Sequence, residues 1–104
     1  MSVPRAEAVA GAQGVVRLLV PLDVDMPALE ALLATAGRGA ASNGLTRMII
    51  CELPDDARCA SALARLLASG FVEEGRVPDY YADGVALCIL VRWNTVRAER
   101  ESGA

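Results

Sequence analysis

Three short apolar runs constrain the fold of this chain more than any other feature. Residues 15–20 read Val-Val-Arg-Leu-Leu-Val and end at Pro21, residues 46–53 end at Pro54, and residues 85–93 carry seven apolar residues before the first charge. Near-continuous runs of Val, Ile and Leu are typical of strands that are covered on both faces. The three runs therefore predict three strands of one buried sheet.

A fourth and more polar run predicts an edge strand. Residues 71–77 contain Glu73, Glu74 and Arg76, and charged side chains are hard to bury in the middle of a sheet. Only the short segment 78–84 separates this run from the last apolar run. We therefore expect a loop there and an antiparallel pairing of the last two strands.

Two helical patterns lie between the runs. Asp25 stands at the N-cap position of the first helix, and Pro27 is acceptable in its first turn because amides there lack intrahelical acceptors. Asp55 or Asp56 caps the second helix, and Gly70 follows its last turn. Apolar residues recur at helical spacing on one face of each helix: Leu29, Leu32, Leu33, Ala36 and Ala40 in the first, and Cys59, Leu63, Leu66 and Leu67 in the second.

The order of these elements is β-α-β-α-β-β, which predicts an α/β fold with a mixed sheet of about four strands and two helices. The crossover helix favours parallel pairing of the first two strands. We expect residues 1–14 to be an N-terminal extension, residues 15–94 the folded domain and residues 95–104 a charged, frayed tail. Because two helices leave part of such a sheet uncovered, we expect a homodimer.

Composition argues against several partners. The 104 residues suffice for one domain, and a hydrophobic fraction of 54% fits a folded core. A net charge of −3 with scattered arginines argues against nucleic acid, and no apolar run approaches the roughly 20 residues of a membrane-spanning helix. The first 13 residues lack the apolar core of a signal peptide, so we expect a cytoplasmic protein. Three widely spaced cysteines without any histidine predict neither a metal site nor a disulfide framework.

One stretch resembles a known family. The helix end Gly70-Phe71, the charged strand after it and the loop Tyr80-Tyr81-Ala82-Asp83-Gly84 are similar to the end of the fourth helix, the next strand and the next loop in the GNAT N-acetyltransferase superfamily. The preferred alignment matches residues 15–20 to the family's fourth strand and residues 45–53 to its fifth. The chain then resembles the C-terminal half of the GNAT domain. A second alignment, of residues 16–29 with the family's opening strand and first helix, is also open.

The resemblance implies an acyl-coenzyme A fold, with acetyl-CoA or another acyl-CoA as cofactor and an amine as acceptor. Backbone amides near Val20 and Ile50, at the splayed ends of two strands, would bind the cofactor and polarise the thioester carbonyl. Tyr80 and Tyr81 would line the substrate pocket, although a loop tyrosine pair is more often a packing anchor. No residue is identified as catalytic. We expect Trp93 to close the core or an interface.

Several positions depart from the family pattern. The family's glycine-containing loop holds the coenzyme A pyrophosphate on its amides, but residues 22–27 contain no glycine, Pro27 removes a donor, and Asp23 and Asp25 add negative charge. The family's frequent general-acid tyrosine falls on Leu66, which cannot protonate a thiolate, and its frequent asparagine falls on Cys59. Two hypotheses follow: an acyl-CoA-dependent acyltransferase, or a non-catalytic GNAT-like module for dimerisation or protein interaction.

Overall fold

The computed structural model describes residues 2–43 and 46–94. The predicted C-terminal tail, residues 95–104, lies outside these residues. The elements in chain order are β1 (Arg5–Ala8), β2 (Val15–Leu19), α1 (Met26–Asn43), β3 (Met48–Pro54), a 3-10 turn (Ala57–Cys59), α2 (Ala60–Ala68), β4 (Val72–Ala82) and β5 (Val85–Trp93).

The strands form one mixed sheet in the order β1-β2-β3-β5-β4. Strands β2 and β3 pair in parallel, as the crossover helix predicted, and the other neighbours pair antiparallel. The apolar strand β5 lies inside the sheet and the charged strand β4 forms one edge. The predicted α/β class with a mixed sheet and two helices is therefore confirmed.

The sheet has one strand more than the four that the sequence predicted. Strand β1 falls in the segment expected as an N-terminal extension, and it pairs with β2 from Arg5 opposite Leu19 to Ala8 opposite Val16. All four of its residues are exposed. A strand of alternating charged residues and alanines has no apolar face, so its sequence carries no periodic signal for a strand.

Strand β4 is longer than predicted. It continues through Pro78 and the two tyrosines to Ala82, where the sequence predicted a loop. Proline is tolerated here because β4 is an edge strand, so its missing amide removes no bond inside the sheet. The pairing with β5 is irregular between Val77 and Ala82, and Asp79 has a positive φ of 55°. The hairpin closes at the following turn, where the Gly84 amide donates to Asp79 Oδ1 at 2.8 Å.

Both helices pack on the same face of the sheet. One cluster of buried residues joins Leu29 and Leu33 of α1 with Ala62 and Leu66 of α2. The strands supply every second residue to this cluster, as expected from the alternation of side chains along a strand: Leu18, Ile49, Cys51, Leu53, Cys88 and Leu90. We call this side of the sheet the helix face.

The opposite side, here called the open face, carries the alternate residues of the same strands. Val91 and Leu87 are buried there without belonging to the core cluster. Towards the β4 edge, Val72, Val77 and Trp93 are 57%, 41% and 39% exposed. Trp93, which the sequence placed in the core or an interface, therefore lies outside the core cluster.

Both ends of the second helical region are capped by the residues that the sequence suggested. Asp56 is the N-cap of the 3-10 turn, and its side chain accepts from the Arg58 amide at 2.8 Å. Gly70 follows α2 with a φ of 99°. Its amide donates to Leu67 O at 3.2 Å and the Phe71 amide donates to Leu66 O at 3.1 Å, which is the Schellman arrangement.

Candidate functional site

A concave surface beside the end of β2 brings together three of the residues that the sequence singled out. Val20 lies on its wall together with Tyr80 and Tyr81 from the β4–β5 hairpin. The cavity has a volume of about 430 Å³. The rest of its lining comes from β2 and the residue after Val20, from β3 and from the N-terminal segment: Arg17, Leu19, Pro21, Glu52, Val3 and Arg5. We call it the tyrosine cavity.

The two tyrosines form an edge-to-face pair. Their ring centroids are 4.9 Å apart with an interplanar angle of 79°, a favourable arrangement of two aromatic quadrupoles. Burial raises the pKa of Tyr81 to about 12, so its hydroxyl stays protonated and available as a donor at neutral pH. The pair can therefore pack against a ligand, and Tyr81 can donate a hydrogen bond to it.

An ion-pair network that the sequence did not predict crosses the first three strands. Arg17 Nε and Nη2 donate to the two carboxylate oxygens of Glu52 at 2.7 and 3.0 Å, and Nη1 donates to Glu7 Oε1 at 3.3 Å. Hydrogen bonding to Glu52 raises the pKa of Arg17. Arg5 Nε lies 4.0 Å from Glu7 Oε2, so the network pairs two guanidinium groups with two carboxylates and gives the tyrosine cavity no concentrated charge of either sign.

Two residues of the sequence indicate this network. Arg17 interrupts the apolar run of β2, and Glu52 interrupts that of β3. Lone charges in two buried strands suggest partners, because an unpaired charge is costly to bury. Their pairing follows from the strand register, which sets Arg17 opposite Ile50 and Leu19 opposite Glu52, and a single sequence does not contain that register.

The structure does not bring Val20 and Ile50 to one place. The Val20 amide donates to Glu52 O at 2.9 Å, so it is already engaged. Ile50 lies opposite Arg17 in β2 and opposite Val91 in β5, and it does not line the tyrosine cavity. The parallel ladder runs without interruption from the Val15–Met48 pair to the Leu19–Glu52 pair.

The segment between β2 and α1 is held by the chain's own N-terminal segment. Ser2 forms a parallel bridge with Val24: its amide donates to Asp23 O at 2.6 Å, and its carbonyl accepts from the Asp25 amide at 2.8 Å. The backbone carbonyl of Asp25 in turn accepts a hydrogen bond from the Leu29 amide at 3.0 Å, in the first turn of α1. We call this pair of bonds the Ser2 clasp.

The positions that match the family's tyrosine and asparagine are structural here. Leu66 is fully buried in the core cluster. Cys59 is 1% exposed, and its thiol donates to the carbonyls of Pro21 and Leu22 at 3.6 and 3.4 Å. Burial raises the pKa of the Cys59 thiol, which disfavours the thiolate that a nucleophile needs.

The described residues contain no group of three or more His, Cys, Asp or Glu side chains that could hold a metal ion. No helix within residues 2–43 and 46–94 is long and apolar enough to cross a membrane.

Comparisons with known proteins bear on the fold. No protein-family model matches the sequence, and no curated protein matches it. A crystal structure from Desulfovibrio desulfuricans, of a protein assigned to the GNAT family of acetyltransferases, superposes with a TM-score of 0.68 at 18% identity, over 85% of this chain. The fold is GNAT-like. The NatC complex bound to Gag peptide and CoA also superposes, with a TM-score of 0.58 at 13% identity over 88% of this chain.

The chain spans 58% of each of these two structures. The GNAT-like half-domain predicted from the sequence is thus confirmed as a fold. Residues 22–27, which the resemblance aligns with the family's pyrophosphate loop, do not fit coenzyme A: they contain no glycine, Pro27 has no amide hydrogen, and the Asp25 amide is engaged by Ser2.

Proposed function

We propose that this chain is a non-catalytic GNAT-like module that acts by binding another protein chain. The Ser2 clasp is the observation that carries the proposal. In the GNAT family, which this chain resembles, the amides before the corresponding helix hold the coenzyme A pyrophosphate. Here the Asp25 amide donates to the carbonyl of Ser2 at 2.8 Å, so a phosphate oxygen would have to displace the chain's own backbone.

Charge acts in the same direction as the clasp. Asp23 and Asp25 bring two carboxylates to the segment that would face a pyrophosphate. Two like charges about 4 Å apart repel by roughly 1 kcal/mol in water and roughly 4 kcal/mol near a protein surface. Pro27 adds no donor to offset this repulsion. Binding of acyl-CoA by this chain would therefore lack its main anchor.

The surface supports an interaction role. Apolar side chains of Val72, Val77 and Trp93 are exposed on the open face near the β4 edge. A second copy of the chain is the partner that we propose, as the sequence predicted, because a homodimer needs only surfaces that are already present. We also propose a cytoplasmic location, since the cysteines at 51, 59 and 88 are free thiols, the form kept in reducing compartments.

A thermal melt with acetyl-CoA tests this function. A ligand at 100 times its dissociation constant adds about 2.7 kcal/mol of stability, and each kcal/mol raises the Tm of a domain of this size by about 4–8 °C. We expect no rise in Tm up to millimolar acetyl-CoA. A Tm that rises with the logarithm of the acetyl-CoA concentration from the micromolar range upward would refute the proposal. Asp23→Asn with Asp25→Asn is the matched variant: a shift that appears only in it supports the charge argument.

Acyl transfer is the second candidate, and the tyrosine cavity is the observation in its favour. The cavity joins the end of β2 to the tyrosine pair, the place where the family resemblance puts the reacting groups. Release of coenzyme A thiol from acetyl-CoA in the presence of a mixed set of amines would detect this activity. A rate that falls in Tyr81→Phe but not in Leu67→Ala, an exposed helix position, would favour it over the non-catalytic module.

A further inference from the structure

We propose that two copies of this chain join through their β4 edges, antiparallel, in one register: Val72 opposite Val77 of the partner subunit, and Glu73 opposite Arg76 of the partner subunit. The two sheets then become one continuous sheet. This inference rests on the proposed homodimer and names the surface and the register that form it.

The β4 edge is exposed, and its segment from Val72 to Val77 precedes Pro78 and the irregular pairing near the hairpin. Of its eleven residues, ten are exposed and Gly75 is half-buried, and β5 is its neighbour in the sheet. An edge strand presents unpaired amides and carbonyls to any strand that can align with it. The other edge, β1, has only four residues, so β4 offers the longer template.

A β-bulge gives this edge its symmetry. Glu73 pairs with Leu90 and Gly75 pairs with Ile89, so Glu74 is an extra residue in β4. In a regular strand, residues 72 and 77 would point to opposite faces. The bulge restores them to one face, since Val72 pairs with Val91 and Val77 with Leu87.

Glu73 and Arg76 are brought to a common face in the same way. Their partners in β5, Leu90 and Cys88, both belong to the core cluster on the helix face. With the bulge counted as one position, β4 reads Val, Glu, bulge, Arg, Val. When two copies of this segment run antiparallel, each Val faces a Val and each Glu faces an Arg.

A two-fold axis normal to the sheet must pass through a residue position that faces its own copy. An axis through the bulge sets valine against valine twice and Glu73 against the partner's Arg76 twice, and it brings Glu74, the extra residue of the bulge, close to its own copy. An axis through Glu73 would set that carboxylate against its copy, and an axis through Arg76 would set two guanidinium groups together. Like charges directly opposite each other destabilise a strand pair. Of these three axes, the one through the bulge alone offsets its like-charge contact with two Glu–Arg pairs, so it is favoured.

Present contacts of these side chains permit the pairing. Arg76 Nη2 donates to Glu73 Oε1 at 3.1 Å, and Nη1 donates to the carboxylate of Asp55. All three side chains are 43–49% exposed, so a partner strand can reach them. Val72 and Val77, now 57% and 41% exposed, would gain an apolar neighbour each.

Charge reversal tests the pairing between chains. We expect the parent to sediment at twice its 10.9 kDa chain mass at high micromolar concentration, and Arg76→Glu and Glu73→Arg each to sediment as monomers. Each variant also loses the contact within its own chain. Mixed in equal amounts, the two variants should form a heterodimer, because residue 73 of each chain then faces the opposite charge at residue 76 of the other. Two variants that stay dimeric alone, or that do not associate when mixed, would overturn the register.

Disulfide trapping tests the register directly. Directly opposite residues in antiparallel strands have Cα atoms about 4.5–5.5 Å apart, within the range that a disulfide bridges. The double variant that carries both Val72→Cys and Val77→Cys should give a covalent dimer on mild oxidation. Val72→Cys alone, Val77→Cys alone and the exposed control Leu67→Cys should not. The native cysteines are buried. Trapping of either single variant would contradict the pairing.

The outcomes separate this inference from the proposed function. A monomeric parent that does not bind acetyl-CoA would overturn the β4 pairing and the homodimer, and would leave standing the proposal that the chain does not bind acyl-CoA. A dimer with the predicted trapping pattern that binds acetyl-CoA with a micromolar constant would support the pairing and overturn the proposed function. Far-ultraviolet circular dichroism of each variant verifies that the substitutions at these exposed positions leave the fold intact.

Discussion

Replacing Leu66 by alanine tests whether the position that the family resemblance gives to a general-acid tyrosine has become part of the core. Leu66 is fully buried in the cluster that joins α1, α2 and the sheet. Truncating a buried leucine to alanine costs about 2–5 kcal/mol, because transfer free energy is lost and a cavity remains. At about 4–8 °C per kcal/mol for a domain of this size, the Tm should fall by about 8 °C or more.

The neighbouring Leu67 provides the control. It lies on the same helix but is 47% exposed, and leucine and alanine differ little in helix propensity. We expect Leu67→Ala to cost less than about 1 kcal/mol. Urea denaturation followed by circular dichroism, at one fixed protein concentration, gives both free energies of unfolding. Equal costs for the two variants would mean that α2 does not bury the face described above.

Two further predictions concern a glycine and a buried thiol. Gly70→Ala should cost about 1–2 kcal/mol because φ there is +99°. Space is not the cause, since a Cβ would lie in ordinary contact with the Arg92 side chain, 3.6 Å from Cδ and 3.9 Å from Cγ. Gly75→Ala, where φ is ordinary and a Cβ would lie 3.7 Å from Ile89, should change the free energy of unfolding in urea little. Burial raises the pKa of Cys51 from 9.0 to about 12, so the folded state keeps a proton that the unfolded state loses between those pH values. The free energy of unfolding should therefore fall as pH rises above 9.0, by up to about 1.4 kcal/mol per pH unit. Cys51→Ala should make this pH dependence shallower. An unchanged slope would show that Cys51 does not cause the pH dependence.

Much of the fold could be predicted because local signals agreed with tertiary structure. The apolar runs that became β2, β3 and β5 end close to the prolines and charges that bound them, and Asp56 and Gly70 cap as their residue types suggest. Strand β1 was not predicted, because its charged and alanine residues have no apolar periodicity. It is formed by pairing with β2, a long-range contact that local sequence does not encode.

The site was predicted less completely for the same reason. Val20 and the tyrosine pair do meet in the tyrosine cavity, since all three lie near strand ends that the sequence located. Ile50 does not join them, because the register places it opposite Arg17 in the body of the sheet. The Ser2 clasp also depends on a contact between distant residues, so only the structure could reveal that the Asp25 amide is engaged.

Amide hydrogen exchange at Asp25 and Val20 is the most direct test of the claim that this chain has closed its own coenzyme A site. Both amides donate to backbone carbonyls, at 2.8 Å to Ser2 and at 2.9 Å to Glu52. Nuclear magnetic resonance can follow each amide in the free protein and with millimolar acetyl-CoA. We expect both amides to exchange slowly, and we expect acetyl-CoA to change neither their exchange rates nor their chemical shifts. Fast exchange at Asp25 in the free protein, followed by protection when acetyl-CoA is added, would contradict that claim.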